Sequence, residues 1–310
     1  MMNDSADLTV VIPVHNRERL LAECLASVAA QTARGFRLIV VDNSSTDRSR
    51  AVAEDWGRRH LDIPLVVLDE PRPGCAAARN CGLAAVDTPW TLFFDSDDLM
   101  HPDHLRRVIA AIRRMPGTEV IGWPSAMSRG PDAGRRHEFA DRPRSRWWDL
   151  MFAGTFSTQR YCARTALFRA AGGWNEGLAI WEDLELGARI LARRPRVRVL
   201  DGRPTVLVRH TAVSVTGESY RAMLPRIEAS LEAVRPVMPA EKAVYCDVRR
   251  AIMYGYAEYE SPGAGRALMN ALAGRTPSVR HRAFMRAAYA FYSCGLRGGA
   301  RILKPLRFLL

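Results

Sequence analysis

The residues best suited to chemistry are the aspartates that follow an apolar run in the first third of the sequence. Asp95, Asp97 and Asp98 lie at the end of the run WTLFFD. On an extended segment, side chains two residues apart project to one side, and two adjacent carboxylates repel unless a cation lies between them. Only oxygen ligands are offered, which suits Mg²⁺ or Mn²⁺ better than Zn²⁺. The pattern therefore predicts a divalent cation that carries a phosphate on its other face.

Polar residues follow the neighbouring apolar runs in the same way. His15-Asn16-Arg17 comes after the first run, Asp42 to Asp47 after the second and Asp69-Glu70 after the third. Open parallel sheets bind ligands at the carboxyl ends of their strands, so these positions indicate one common site. Helix capping and turn formation are an alternative explanation for Asp42 to Asp47.

A parallel sheet is needed to position these side chains, and the first third of the chain predicts one. Its apolar runs are nearly continuous, which is typical of strands covered on both faces. The predicted strands are Leu8–Val14, Phe36–Asp42, Pro64–Asp69, Trp90–Asp95 and Thr118–Trp123. Helical spacing of apolar residues predicts helices at Arg17–Gln31, Thr46–His60 and Pro102–Met115. Strands that alternate with helices predict a doubly wound, Rossmann-like α/β fold with a mostly parallel sheet.

The rest of the chain changes character twice. Residues 124–146 are rich in Pro, Gly, Arg and Ser, and we expect a long functional loop there. A helix is predicted at Trp181–Arg193, two short strands follow it, and from Gly217 the pattern is helical with breaks at prolines. We expect three parts: the first half of one α/β domain at 1–123, its second half at 124–216, and a basic helical region at 217–310.

Composition bounds the class of protein. The 310 residues carry a net charge of +12, nearly all of it from arginine, so anionic partners are expected. No run of about 18 uncharged apolar residues occurs, and the first residues lack the pattern of a secretory signal. We therefore expect a cytoplasmic protein, which could also attach peripherally to the inner face of the cell membrane. The six cysteines form no C-x-x-C pair, which disfavours a zinc or disulfide framework.

Six motifs in order carry a family resemblance. They are VVIPVHNR, VVDNSSTD, ARNCGL, FFDSDD, GGWNE and WEDLELGARI. Together they resemble the signatures of the family 2 glycosyltransferases, which have the GT-A fold and are inverting and metal-dependent. The resemblance covers roughly Leu8 to His210. It implies a nucleotide-sugar-binding half at 1–123 and an acceptor-binding and catalytic half of the same domain at 124–216.

The resemblance implies roles for individual residues. Asp42 would accept a hydrogen bond from the nucleotide base, and Arg79 would approach the sugar or the diphosphate. Asp95 and Asp97 would hold the metal that bridges the two phosphates, and His210 would complete the metal site. The remaining residues expected at the nucleotide sugar are Pro13, His15, Asn16, Ser44, Asp47 and Ser96.

The resemblance also implies a base. Asp183, with Glu182 beside it, would deprotonate the acceptor hydroxyl, although an acid at a helix N-terminus is also explained by the helix dipole. Trp174 stands where phenylalanine is commoner in the family, and His15 where tyrosine is commoner. The implied donor is a nucleotide-diphosphate sugar, a UDP-sugar first, and the implied acceptor is a glycan or lipid-linked glycan.

Two other classes compete with this interpretation. A metal-dependent phosphotransferase or phosphatase also clusters aspartates at strand ends, but it needs an aspartyl nucleophile after the first strand, where Pro13-Val14-His15-Asn16 stands. A non-catalytic basic module that binds membrane or nucleic acid does not explain the aspartates, and we expect no nucleic-acid partner. Dinucleotide and P-loop signatures are absent from the sequence. Within the family that the chain resembles, processive polysaccharide synthases carry a Q-x-x-R-W segment. This sequence lacks that segment, so the transfer of a single sugar is expected.

The last thirty residues combine basic and apolar side chains. From Ser261 onward the sequence contains no Asp or Glu, while apolar residues recur at helical spacing in His281 to Leu310. The pattern fits either a helix that packs on the protein with a solvated basic face, or a contact with an anionic membrane surface.

Overall fold

The computed structural model describes residues 7–128, 136–139, 147–209 and 218–296. The chain forms two compact units, neither continuous in sequence. The first unit comprises Met1–Ser145, Thr155–Gly177 and Arg193–Ala212, and the second comprises Arg146–Gly154, Leu178–Ala192 and Val213–Leu310. His210 and the last fourteen residues lie outside the described part of the chain. No described helix has both the length and the apolar character needed to cross a membrane.

A seven-stranded sheet organises the first unit. Its strands are β1 (Leu8–Val14), β2 (Phe36–Asp42), β3 (Leu65–Asp69), β4 (Trp90–Phe93), β6 (Val120–Gly122), β9 (Tyr161–Arg164) and β10 (Val197–Val199), in the spatial order β10-β6-β9-β4-β1-β2-β3. Every pairing is parallel except those of β9, which runs antiparallel to β4 and β6. This mostly parallel α/β sheet confirms the predicted GT-A fold class.

The predicted strands are real because their apolar runs are buried. All seven residues of β1 are buried, and β1 pairs with β2 over its whole length, from Leu8 opposite Phe36 to Val14 opposite Asp42. The parallel register brings the ends of β1, β2 and β4 to one edge of the sheet. The polar residues that follow these strands therefore meet at that edge, as expected.

Helices cover this sheet. They are α1 (Glu18–Ala29), α2 (Ser49–Arg59), α3 (Cys75–Ala85), α4 (His104–Arg114) and α6 (Thr165–Ala170). On α1 the buried side chains are Leu21, Cys24, Leu25 and Val28, the face that the spacing predicted. The sequence analysis did not predict α3, because its small residues give no amphipathic stripe. A Cβ at Gly82 of α3 would overlap the Val11 side chain, so the close approach of this helix to β1 requires glycine.

A second, four-stranded sheet has the order β5-β11-β7-β8. Its strands are β5 (Leu99–Met100), β7 (Ser125–Ser128), β8 (Arg136–Phe139) and β11 (Val206–Arg209). The expectation that residues 124–146 form a loop is thus wrong for β7 and β8. These two strands pair antiparallel with each other, and β7 pairs with β11, so partners distant in sequence stabilise segments that lack strand periodicity.

The second unit is helical. Its helices are α5 (Trp147–Ala153), α7 (Glu182–Ala192), α8 (Tyr220–Val234), α9 (Val244–Glu260), α10 (Arg266–Arg275) and α11 (Val279–Ser293). The predicted breaks hold: α8 ends before Pro236, α9 before Pro262, and α11 begins after Pro277. The final apolar and basic segment that prompted the membrane hypothesis, residues 297–310, lies outside the described residues.

Charged side chains of α9 organise the inside of this unit. Arg250 is fully buried and forms ion pairs with Glu228, Glu232 and Asp247. The Glu258 carboxylate accepts backbone N–H groups of Gly263, Gly265 and Arg266, each at 3.0 Å. These bonds, that from Gly263 first, lower the pKa of Glu258. The carboxylate thereby satisfies N–H groups at the start of α10.

Candidate active site

The aspartates after β4 form a compact cluster. Asp95, Asp97 and Asp98 each offer one carboxylate oxygen, and these atoms lie within 4.8 Å of one another. The segment is a turn closed by a bond from Asp98 N to Asp95 O of 3.2 Å, so the assumption of an extended segment is wrong. The turn adds the third carboxylate, which alternation along a strand would have placed on the opposite side.

Arginines balance two of these carboxylates. Arg17 Nη1 donates to Asp97 Oδ2 at 3.1 Å, and Arg79 Nη2 donates to Asp95 Oδ1 at 2.8 Å. Gln159, in a short 3₁₀ turn, donates its side-chain amide to the other oxygen of Asp95. Sequence reasoning found Arg79 but missed the other two: Arg17 stands inside the first motif, whereas nothing in the local sequence marks Gln159.

Asp98 is the most buried member of the cluster. It is 1% exposed; its Oδ1 accepts Arg209 N at 2.8 Å, while its Oδ2 is buried with no hydrogen-bond partner among the described residues. Burial, followed by the charges of Asp97 and Asp95, raises the pKa of Asp98 well above its usual range. Burial and the charge of Asp95 also raise the pKa of Asp97. A cation would relieve this repulsion, and the all-oxygen donor set fits a divalent ion such as Mg²⁺ or Mn²⁺.

Arg209, at the end of β11, links the aspartate cluster to α1. Its Nε donates to the Asp97 carbonyl and its Nη1 pairs with Glu23 of α1. The next residue, His210, is the expected additional metal ligand and lies outside the described residues. Arg209 was missed by the sequence analysis, because the second sheet that brings it here was not predicted.

The loop after β1 is held by backbone contacts to the loop after β2. His15 Nδ1 lies 2.7 Å from the Asn43 carbonyl oxygen, and Asn16 Oδ1 accepts Thr46 N at 2.7 Å. Asn16 has a φ of 49°, a left-handed conformation that asparagine tolerates better than most residues. Pro13 is buried in β1 opposite Val41. The predicted nucleotide-site residues Pro13, His15 and Asn16 therefore sit beside the polar loop after β2.

Within that loop, Asp42 and Asp47 do different things. Asp42 is 5% exposed; its Oδ2 accepts Ser45 N at 3.2 Å, and its Oδ1 is buried without a hydrogen-bond partner in the described chain. Asp47 accepts Glu18 N at 3.0 Å and Ser49 N at 2.9 Å, which fastens the first turns of α1 and α2 together. Burial acts to raise the pKa of Asp47, but the bonds from Ser49 and Glu18 lower it. Asp47 thus has the capping contacts that the alternative explanation predicted, and Asp42 has an unused acceptor.

Ser44 and Asn43 complete this edge. Ser44 has a φ of 57°, and its hydroxyl donates to the carbonyls of Glu70 and Pro71 at 3.4 Å. Asn43 donates to the Glu70 carbonyl at 2.7 Å and accepts Gly74 N at 2.9 Å, which fixes the start of α3. The sequence analysis did not single out Asn43.

Trp174 holds Arg79 in place. The Arg79 guanidinium carbon lies 4.4 Å from the centre of the Trp174 ring, and Phe93 meets the same ring edge-on at 5.0 Å. Asn80 bonds both backbone groups of Trp174, accepting its N–H at 2.7 Å and donating to its carbonyl at 2.9 Å. A tryptophan at this position therefore keeps the cation–π support that an aromatic residue supplies.

Glu182 and Asp183 begin α7 in the second unit and are both half-buried. Asp183 Oδ1 accepts Leu184 N at 2.7 Å. Trp181, just before the helix, has a φ of 55°, which is rare for a bulky side chain. The predicted base thus lies at a helix N-terminus that is entered through a strained residue.

Comparisons with known proteins agree with this geometry. The chain is 31% identical over 115 residues to a protein named glycosyltransferase GlyA from Streptococcus pneumoniae, an alignment of 37% of this chain and 16% of that protein. It is 37% identical over 116 residues to the succinoglycan biosynthesis protein ExoW of Rhizobium meliloti, with 35% of each chain covered. The chain therefore spans well under half the length of these relatives.

Solved structures share the fold. Staphylococcus aureus TarS superposes with a TM-score of 0.65 and 20% identity, over 93% of this chain and 53% of TarS. A TarS fragment in complex with UDP-GlcNAc gives 0.60 at 17% identity, over 94% of this chain and 92% of the fragment. A mannosyltransferase of Pyrobaculum calidifontis, in complex with GDP-Man and Mn²⁺, gives 0.54 at 17% identity, over 96% and 87% of the two chains.

The family assignment rests on a longer match. Residues 9–173 match the family described as glycosyl transferase family 2, which is more than half of the chain. The matched span contains β1 to β4, Arg79 and the three clustered aspartates. The chain that builds this aspartate cluster at the carboxyl edge of its sheet is therefore a member of glycosyl transferase family 2.

Proposed function

We propose that the chain is an inverting glycosyltransferase that moves one sugar from a nucleotide-diphosphate sugar, a UDP-sugar first, to an acceptor hydroxyl. The observation that carries the proposal is the cluster Asp95, Asp97 and Asp98, an all-oxygen cation site inside the span that matches the family. Related folds in complex with UDP-GlcNAc and with GDP-Man and Mn²⁺ support a nucleotide-sugar donor and a divalent cation.

Asp95 and Asp97 would hold Mn²⁺ or Mg²⁺, with His210 as a further ligand. When bound, such a cation neutralises the negative charge of the departing diphosphate. Arg79 lies against Asp95 on the rigid support of Trp174, so its guanidinium is placed to bind a phosphate beside the cation site.

Residues at the edge of the sheet would hold the nucleotide. The buried Oδ1 of Asp42, which has no hydrogen-bond partner among the described residues, is suited to accept an N–H group of the base. A buried acceptor without a partner is unfavourable, and a donor on the ligand would supply the missing hydrogen bond. Pro13, His15, Asn16, Ser44 and Ser96 would line the same pocket, and Asp47 would keep the two loops in register.

Asp183 would remove the proton from the acceptor hydroxyl, with Glu182 as its neighbour. The hydroxyl oxygen then forms the new bond to the anomeric carbon as the bond to the diphosphate breaks, which inverts the configuration. We assign donor binding to residues 1–123, acceptor binding and catalysis to 124–216 and a basic accessory role to 217–310. The acceptor would be a glycan or lipid-linked glycan, reached from the inner face of the cell membrane.

Calorimetry tests the donor half of this proposal. UDP and GDP should each be titrated into the protein with Mn²⁺, with Mg²⁺ and with EDTA. Heat of binding for at least one nucleotide that disappears with EDTA supports the proposal. No binding of either nucleotide with either metal would overturn it.

A further inference from the structure

Arg249, on α9 of the second unit, is a half-buried cation. It forms no ion pair with any residue that the structure describes, and its Nε atom is buried without a hydrogen-bond partner among those residues. Burial lowers the pKa of Arg249, while Tyr292, Tyr220, Tyr256 and Asp183 act in the opposite direction. The side chain as a whole is half-buried, so its guanidinium can be reached by a ligand and can pair with an oxyanion.

Aromatic rings surround this arginine. Its guanidinium carbon lies 4.7 Å from the centre of the Trp181 ring. Tyr220 and Tyr256 stack at 4.6 Å with an interplanar angle of 9°, and Tyr292 lies 4.7 Å from Tyr256. We call Arg249, Trp181, Tyr220, Tyr256 and Tyr292 the Arg249 cluster. Trp181, Tyr220 and Tyr256 are half-buried, whereas Tyr292 is buried and supports Tyr256. Partly exposed flat rings beside a guanidinium can pack against a sugar while the cation holds an oxyanion.

The position of the cluster connects it with the proposed base. Trp181 precedes Glu182 and Asp183 directly, and Asp183 is among the groups that act electrostatically on Arg249. The left-handed backbone of Trp181 is a strained conformation, and such strain is often retained at ligand sites.

We propose that the Arg249 cluster is an acceptor subsite, in which Arg249 binds an oxyanion of the acceptor, a phosphodiester or a carboxylate, while the aromatic rings pack against its sugar. This inference rests on the proposed glycosyl transfer and adds the substrate class: an anionic glycan or polyol phosphate. Arg249 is a binding residue and takes no part in proton transfer.

Small probes on the full-length chain test the subsite. Calorimetry at low salt should compare glycerophosphoglycerol (a phosphodiester), methyl glucuronide (a carboxylate) and methyl glucoside (neutral). We expect at least one anionic probe to bind more tightly than the neutral one, and Arg249→Met to weaken that probe by about ten-fold or more. Arg249→Lys should fall between the two, since it keeps the charge but loses the planar stacking group.

Matched controls separate binding from folding. Arg286→Met removes the same charge from an exposed position of the second unit and should leave the affinity of the anionic probe unchanged. Arg249→Met should not lower Tm, because it removes a half-buried cation that has no ion pair with a described residue and keeps an apolar chain beside Trp181. The proposal fails if neither anionic probe is preferred, if Arg286→Met weakens binding as much as Arg249→Met, or if Arg249→Met lowers Tm.

Donor binding distinguishes this inference from the function on which it rests. Metal-dependent UDP binding should be the same in wild type and Arg249→Met, and UDP should not displace the anionic probe. Displacement of the probe by UDP would assign Arg249 to the donor and overturn the acceptor subsite. Absence of UDP binding in the wild type would instead overturn the proposed function.

Discussion

The carboxylate cluster of the first unit and the Arg249 cluster of the second differ in how their charges are paired within the protein. Asp95 and Asp97 are each paired with an arginine, and Asp98 accepts a backbone N–H. Arg249 forms no ion pair with a described residue, although the next residue, Arg250, has three. In the first site two of the three carboxylates are paired with arginines, so a metal must compete with those arginines there. In the second site the guanidinium is open to an anionic ligand.

The largest expected effect concerns Asp183, the acid that acts electrostatically on Arg249. Asp183→Asn keeps the shape of the side chain and removes its basicity, so we expect sugar transfer to fall by about 10²–10⁴-fold. Metal-dependent UDP binding, measured by calorimetry, should stay at the wild-type level. Glu182→Gln is the matched control and should reduce transfer less. The reverse order of the two variants would show that Glu182 is the base.

Substitution of the two adjacent arginines sharpens the comparison in terms of stability. Arg250→Met removes a buried guanidinium and its bonds to three carboxylates that stay in contact with water, and we expect the free energy of unfolding to fall by about 1.5–3 kcal/mol. Chemical denaturation with matched slopes measures this change. Arg249→Met should show no loss. Equal losses in both variants would mean that Arg249 is structural.

Loss of a clustered aspartate should weaken metal binding at the first site. Asp97→Ala and Asp95→Ala each remove a proposed metal ligand. Changes outside the ligand shell alone typically cost about 10–100-fold in metal affinity, so we expect Mn²⁺-dependent UDP binding to weaken by about 100-fold or more. Asp87→Ala, at an exposed position before β4 and away from the carboxyl edge of the sheet, is the control and should bind normally. Wild-type affinity in the Asp97 or Asp95 variant would remove the metal assignment.

The effect that is smallest at neutral pH, and that grows as the pH falls, comes from His104, a buried group that is neutral rather than charged. Burial, with smaller contributions from Arg107 and His101, lowers the pKa of His104 to about 3. Since the unfolded chain binds this proton below about pH 6.5, the stability that neutral His104 allows is present above that pH and lost as the pH falls. The loss is about 1.4 kcal/mol per pH unit, down to the folded pKa.

His104→Phe tests this linkage. The ring is kept for its edge-on contact with Trp123, while the titrating group is removed. Denaturation of wild type and variant at pH 7, 6, 5 and 4 should show a smaller decline in the variant. Parallel curves would contradict the assignment.

The first sheet and its aspartates were predictable because each strand is a continuous apolar run that ends in polar residues. The pairing of those aspartates was not, because Arg17, Arg209 and Gln159 reach them from segments that only the folded topology brings together. The same reason hid β7, β8 and β9, which are stabilised by partners far away in sequence. The sequence also gives no sign that Arg249 and Arg250 differ, although only Arg250 forms ion pairs with described residues.

The first unit is completed only late in synthesis, because its last segment follows α7 in the sequence. Residues 193–212 return to it after α7 and add β10 beside β6 and β11 beside β5 and β7. A ribosome adds about 5–20 residues per second, so for several seconds the nascent chain holds β6 and β7 without these neighbours. Free strand edges pair readily with other chains. Chaperone capture during translation should therefore peak between the emergence of β7 and that of β11.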